Sequence, residues 1–254
     1  MTLSIQLYSM RDYKDQIDLL TKLAAIGLKQ VEGYGGVYEN PVAYRAAMDA
    51  YGITMPTGHM GINDIEKDFE GTLEIINTLG IQCVFAPYLE AHERPSTSEG
   101  YTQLAHRLNS AAKRYAEHGI EFGWHNHEFE FIALADGGVP MDILLKEAPT
   151  INWEADLAWV VRGDSDPLEY IQRHGSRLRA IHVKDIAKPG TNLDQDGWSD
   201  LGDGVLDWKS LLKACRNQSS NLVYALEHDK PSDPLAYATR SVAAFNALWE
   251  STNV

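Results

Sequence analysis

"FGWHNHEFEF", residues 122–131, sets two histidines, an asparagine and two glutamates into a run that otherwise reads as a β-strand. Buried strands are ordinarily built from Val, Ile and Leu, so polar residues at the end of one raise the question of a site. The run follows Gly119, which closes an amphipathic helix whose Leu104, Leu108, Ala112 and Tyr115 share one face. It leads into a short helix expected around 139–148. The stretch is therefore one strand held between two helices, and the question is how often that unit recurs.

It recurs from end to end. "LSIQLYS" (3–9) precedes a helix bearing Ile17, Leu20, Leu23 and Ala24, closed by Gly27. "KQVEGYG" (29–35) precedes a helix opened near Asn40-Pro41 and closed by Gly52. "ITMPTGH" (53–59) leads to a helix ending near Gly80, and "IQCVFAPY" (81–88) to the long helix already described. In the second half, "INWEADLAWV" (151–160) precedes a helix around 166–174. "RAIHVKD" (179–185) is followed by an irregular stretch and a helix from about 207 to 217, and "NLVYALEHD" (221–229) by a terminal helix from near Pro234. Counting "IEFGWHNHEF" (120–129), this makes eight βα units with no interdomain linker, so a single domain over residues 1–254 is expected.

Parallel strands need crossover connections, and eight such units in 254 residues match an α/β fold of the closed (β/α)8, TIM-barrel type. An open doubly wound sheet is the alternative. Against it, the first strand is followed by "YSMRD" and not by a glycine-rich phosphate loop.

Composition narrows the partners. A net charge of −14 without any basic run opposes binding to a nucleic-acid backbone, which needs clustered Lys and Arg, and opposes membrane surfaces. No run approaches the roughly 18 apolar residues of a membrane span. The start, "MTLSIQLYSMRDYKDQ", lacks a basic segment followed by an apolar one, so no secretory signal is expected. Cys83 and Cys215 are unrelated in spacing, which argues against a disulfide framework or a thiolate metal site and points to the reducing cytoplasm.

In a barrel of this kind function gathers at the C-terminal ends of the strands. Side chains alternate with period two, so His125 and His127 share a face on the fifth strand, opposite Trp124 and Asn126. Glu154 and Asp156 pair on the sixth, His182 and Lys184 on the seventh, and Glu227 and Asp229 on the eighth. Four consecutive polar pairs turned to the barrel mouth suggest a divalent metal. Imidazole with carboxylate suits Mn²⁺, the first choice here, and also Mg²⁺, Co²⁺, Fe²⁺ or Zn²⁺. The candidate ligands are His125, Asp156, His182 and Glu227. His127, Glu154, Lys184 and Asp229 are left as supports or acid/base groups. Glu32, His59, Trp124 and Lys184 are candidate substrate contacts, with Glu90 just beyond the fourth strand. The plainer alternative is that Lys184-Asp185 and Glu227-His228 are ion pairs closing the rim.

The segments "GIEFGWHNHEFEF", "INWEADLAWV", "AIHVKD", "GDGVLDW" and "YALEHDKPSDP", in this order, resemble the xylose isomerase-like TIM barrels. That group includes sugar isomerases and epimerases, inosose dehydratases and apurinic endonucleases, and the resemblance covers nearly the whole chain. In its epimerase branch a divalent metal is held by Glu, Asp, His and Glu, the two glutamates also serving as acid and base. The resemblance implies these roles for Asp156, His182 and Glu227, whereas His125 stands at the first glutamate and Trp159 where epimerases often carry a substrate-binding histidine. The chemistry implied is proton abstraction beside a carbonyl through an enediolate. Glu227 would be the base, His127 or Glu154 the acid, and Lys184 the stabiliser of oxyanion charge. The substrate is then a sugar or keto-sugar, and a homo-oligomer is implied by resemblance alone.

His125 also strengthens a rival reading, a lyase or dehydratase acting on a keto-inositol or 3-keto-glycoside. A nuclease would need more early-strand ligands than Glu32 and His59 and a basic face. A non-catalytic sugar-binding barrel would hold no metal.

Overall fold

The computed structural model describes residues 2–252; Met1 and residues 253–254, the ends of the expected domain, lie outside the described residues. Eight parallel strands form one sheet: β1 (Thr2–Ile5), β2 (Gln30–Gly33), β3 (Thr54–His59), β4 (Cys83–Ala86), β5 (Glu121–His125), β6 (Asn152–Asp156), β7 (Leu178–Val183) and β8 (Val223–Leu226). Neighbours follow chain order from β2 through to β8, which then pairs with β1. A bridge between Gln6 and Glu32 brings β1 back to β2 and nearly closes the ring. This is the expected (β/α)8 barrel.

Helices begin where the chain offers a side-chain acceptor to an unpaired backbone N–H. Asp15, Asn40, Asp68, Thr97, Asp207 and Asp233 each do so. Gly52 and Gly80 close their helices with φ of 64° and 77°, a left-handed turn in which a Cβ would be strained.

Four strands stop earlier than the polar pattern suggests: β8 ends at Leu226, before Glu227 and Asp229, and β1, β5 and β6 each end for a local reason. After Ile5 the Gln6 side chain accepts from the Tyr8 N–H and turns the chain into a 3-10 helix, Leu7–Met10. After His125 the chain leaves the sheet, because Asn126 spends its amide on Asp156 and Trp153. After Asp156 comes a helix, Leu157–Arg162, which the Asp156 carboxylate caps through the Trp159 N–H at 2.9 Å. Residues 157–160, expected as strand, are helix for that reason. The irregular stretch after β7 contains a two-residue antiparallel hairpin joining Asp185–Ile186 to Trp198–Ser199.

The apolar faces of the strands pack outward against the helices in one continuous core that includes Trp124, Trp153, Ile181 and Leu226. Inside the ring a separate apolar cluster of Cys83, Phe85, Ala180 and Val223 fills the lower interior. Gly123 makes room for it: a Cβ there would lie 2.7 Å from the Phe85 ring and 2.5 Å from the Asn152 carbonyl. On β7 the residue two places above this plug is His182, and on β8 Glu227 stands four places above Val223 with Ala225 between, so the interior changes from apolar to ionisable toward the strand ends.

Candidate metal centre

Register brings the donors together. Asp156 on β6 lies beside His182 on β7, and Glu154 lies beside His125 on β5. His125, Asp156, His182 and Glu227 each offer one donor atom, and all four atoms lie within 4.8 Å of one another. This is the ligand set expected from the strand alternation. A second group, His59, His125, Glu154 and His182, meets the same limit and shares two imidazoles with the first.

The two nitrogens of His182 divide these groups. Nδ1 lies 2.9 Å from Glu227 Oε2, and Nε2 lies 2.6 Å from Glu32 Oε1. Glu32 also accepts from Gln6 Nε2 at 2.9 Å. Below them His59 Nε2 meets Glu154 Oε2 at 2.5 Å.

Lys184, fully buried, donates to Asp229 Oδ2 at 2.6 Å and Glu227 Oε2 at 3.2 Å, with Asp156 at 3.6 Å. Its ammonium also lies 4.2 Å from the Trp198 ring centre and 4.8 Å from that of Trp159, a favourable cation–π placement. Burial would favour the neutral amine, but the carboxylates of Asp229, Glu227 and Asp156 outweigh it and hold the pKa above its usual value.

The other groups divide by their neighbours. Burial pushes the Glu227 carboxyl up, yet Lys184 and His182 pull it well below the usual carboxylate range. Burial raises Asp156, and burial with the nearby Glu32 raises Glu154. Desolvation holds His125 neutral, well below the ordinary imidazole range, and brings His127 down to about 3 with help from Lys184. His182 goes the other way: burial opposes its charge, but Glu227, Glu154 and Glu32 outweigh burial.

These residues fit a divalent ion. Asp156 Oδ2, Glu154 Oε1, Glu32 Oε2 and His125 Nδ1 are buried without a hydrogen-bond partner, a costly state unless something else satisfies them. Five carboxylates crowd this cluster, Asp156, Glu227 and Asp229 around the single ammonium of Lys184 and Glu32 and Glu154 against the His182 imidazole, an acidic excess that a cation would offset.

Above this layer opens a cavity of about 890 Å³, whose wall includes His59, His125, His127 and Glu227. His127 is the imidazole best placed to meet a ligand. It packs against Trp159 with ring centres 5.2 Å apart and against Tyr88 at 4.9 Å.

Three expected substrate contacts do not line the cavity. Trp124 is fully buried in the outer core and donates its Nε1–H to Glu130 at 3.0 Å, because strand alternation turns it away from the mouth. Glu32 is fully buried and committed to Gln6 and His182. Lys184 is fully buried and committed to carboxylates. Glu154, one of the two expected acids, also lies beneath the wall, with His59 as its partner.

Two residues went unassigned in the sequence. Glu130, buried and raised by burial to about 8, accepts from the Trp124 indole and from the His127 N–H at 2.9 Å. Asp185 is no rim ion pair: its carboxylate accepts from the N–H groups of Ile186, Gly202 and Leu206. It folds the "GDGVLDW" loop against β7, and a Cβ on Gly204 would strike it. The only cue in the sequence is an aspartate followed by closely spaced glycines.

The pattern of the xylose isomerase-like TIM barrel family matches residues 20–248. The chain belongs to this family. Among curated relatives of this xylose isomerase-like barrel is an inosose dehydratase from Geobacillus kaustophilus (strain HTA426), 22% identical over 197 residues. That match covers 69% of this chain and 63% of the relative, so the chain spans less than two thirds of the relative's length. Among solved structures, a sugar phosphate isomerase/epimerase from Parabacteroides distasonis aligns with a TM-score of 0.79 at 20% identity, over 97% of this chain and 93% of that one. The IolI protein with a bound zinc atom aligns with a TM-score of 0.80 at 13% identity, over 99% of both chains. At such identities these likenesses establish the fold. Among the described residues no helix is long and apolar enough to cross a membrane.

Proposed function

We propose that the protein is a divalent-metal-dependent isomerase or epimerase that removes a proton beside the carbonyl of a sugar or keto-sugar and passes through an enediolate. The observation that carries this reading is the placement of a carboxylate, Glu227, and a neutral imidazole, His127, in the wall of one cavity beside the His125, Asp156, His182 and Glu227 donors. Mn²⁺ is the proposed ion; when bound it would polarise the substrate carbonyl as a Lewis acid.

The chain's own residues divide the remaining tasks. Glu227 stays ionised because Lys184 and His182 hold its pKa low. Lys184 donates to its Oε2, so Oε1 is the oxygen free to take the substrate proton. His127, kept neutral, can exchange a proton on the neighbouring part of the substrate. Lys184 acts from behind the wall, fixing the Glu227, Asp229 and Asp156 carboxylates. Glu32 would hold the proton of His182 on Nε2 and so leave Nδ1 free to ligate, as partners of ligating histidines commonly do.

A second reading is favoured by His125. An imidazole there leaves Glu227 as the one carboxylate of the donor set in the cavity wall, and one base with a neutral acid suits elimination from a keto-inositol or 3-keto-glycoside. The similarity to an inosose dehydratase supports the same reading. The two buried, unpaired cysteines, Cys83 and Cys215, suit a reducing cytoplasm, where we place the enzyme, as a homo-oligomer.

The test is incubation of the Mn²⁺-loaded protein in D2O with a panel of ketoses and 3-keto-glycosides, followed by NMR. Deuterium gained beside the carbonyl with the skeleton intact supports isomerisation or epimerisation. Loss of water or aglycone establishes elimination in its place, and no exchange with any carbonyl substrate would refute both.

A further inference from the structure

The charge and size of the cavity bear on the substrate itself, an inference that rests on the sugar-directed reading above. Its wall carries Asp64, Glu90, Glu128, Asp196, Glu227 and Asp229. Against these six carboxylates stands Arg11 as the one Lys or Arg among the described lining residues. That guanidinium is already engaged, 4.0 Å over the Tyr8 ring and donating to the Tyr8 carbonyl at 2.9 Å. Lys184, the nearest ammonium to the donors, is sealed behind the wall. A phosphate monoester is ordinarily held by free Arg or Lys forks or a helix N-terminus. Here it would meet carboxylates.

The dimensions point beyond one ring. About 890 Å³ lies near the top of the roughly 300–1,000 Å³ range that houses drug-sized ligands, and a free hexose would leave most of it to water. The walls are aromatic on both sides. Tyr8 and Tyr34, beyond β1 and β2, meet edge to face with centres 5.7 Å apart. Tyr88 and Trp159, beyond β4 and β6, flank His127 across the ring of strands. Tyr8 and Tyr88 are 40% and 39% exposed; Arg11 and Arg94 each cover one face, and the exposed remainder of each ring is open to a ligand.

We propose that the substrate is an uncharged glycoside, one sugar ring reaching the buried donors and a second ring, sugar or aryl, held between the Tyr8–Tyr34 and Tyr88–Trp159 walls, and that it is not a sugar phosphate. Flat ring faces stack favourably on aromatic side chains, and neutral hydroxyls accept the many carboxylates as hydrogen-bond partners. Arg11 braces Tyr8 in this arrangement and does not clamp an anion.

Equilibrium binding tests this separately from turnover. Calorimetry on the Mn²⁺-loaded protein would compare D-fructose, D-fructose 6-phosphate and 4-nitrophenyl β-D-glucopyranoside. The aryl glucoside is expected to bind about tenfold more tightly than fructose, and the phosphate no more tightly than fructose. In Tyr88→Ala and in Tyr8→Ala, checked for folding by circular dichroism, the ratio of aryl glucoside to fructose affinity is expected to fall toward one. A phosphate that binds tightest, or an aryl glucoside with no advantage over fructose or no measurable binding, overturns the proposal. Failure of proton exchange in D2O with this order of affinities intact would instead sink the reaction and leave the substrate class standing.

Discussion

Strands β5 to β8 and strands β1 to β4 face the same interior, yet they furnish it differently. The second half supplies all four donors of the His125, Asp156, His182 and Glu227 set, one from each successive strand or its end. The first half supplies a partner to one of those donors, Glu32 to His182, and partners to the carboxylates beside them, His59 to Glu154 and Gln6 to Glu32. It also supplies Tyr8, Tyr34 and Tyr88 at the mouth. The difference teaches that a site concentrated on one half of a barrel is still held from the other, because a buried ligand needs its remaining polar atom satisfied.

The comparison predicts that losses in the second half are severe and those in the first graded. Glu227→Gln removes the proposed base in the cavity wall while keeping its shape, and turnover is expected to fall by about 10²–10⁴-fold in steady-state assays. Lys184→Met leaves Asp229, Glu227 and Asp156 facing one another without their ammonium. Breaking a buried pair in this way costs about 3–5 kcal/mol. Urea unfolding should show that loss in metal-free protein, and added Mn²⁺ should restore part of it.

On the first half, Glu32→Gln keeps the folded chain but weakens the hold on His182. The Mn²⁺ dissociation constant is expected to rise by about 10–100-fold by competition with a chelator, with Glu32→Asp recovering part of the affinity. An unchanged affinity would erase the distinction between ligand strands and supporting strands.

The effect on turnover is smallest at Glu130, outside both halves' donor sets, where the change is in the pH dependence of stability. Burial raises its pKa from 4.5 to about 8, so folding takes up a proton between those values. Its contribution to stability is present in full below pH 4.5 and is lost as pH rises to about 8. Glu130→Gln should therefore flatten the fall of unfolding free energy across that window, by a slope of up to about 1.4 kcal/mol per pH unit. A constant offset from the altered hydrogen bonds to Trp124 and His127 would remain. Parallel wild-type and variant curves would contradict the assignment.

Much of this division was legible in the sequence. Period-two spacing alone assigned His125, Glu154, Asp156, His182, Lys184, Glu227 and Asp229 to the interior, because each of the later strands ends in a polar pair and the parity cannot be mistaken. The early strands carry single polar residues, and at Glu32 a register shift between Gln30 and Glu32 interrupts the alternation. Whether Glu32 reached the substrate or another side chain was therefore not readable. Strand ends were lost where side chains take over the backbone's partners, as Asn126 and Asp156 do. Burial depth was the other gap: alternation shows that Lys184 points inward, but only packing shows that Trp198 and Trp159 seal it from the cavity.

The central claim is that four side chains from β5 to β8 hold one divalent ion. Elemental analysis of the purified protein after Mn²⁺ loading and gel filtration tests it most directly, set beside an Asp156→Asn, Glu227→Gln double variant shown to be folded. The account predicts about one ion per chain in the wild type and none retained by the variant. A wild type that holds no ion, or a variant that holds as much as the wild type, would contradict it.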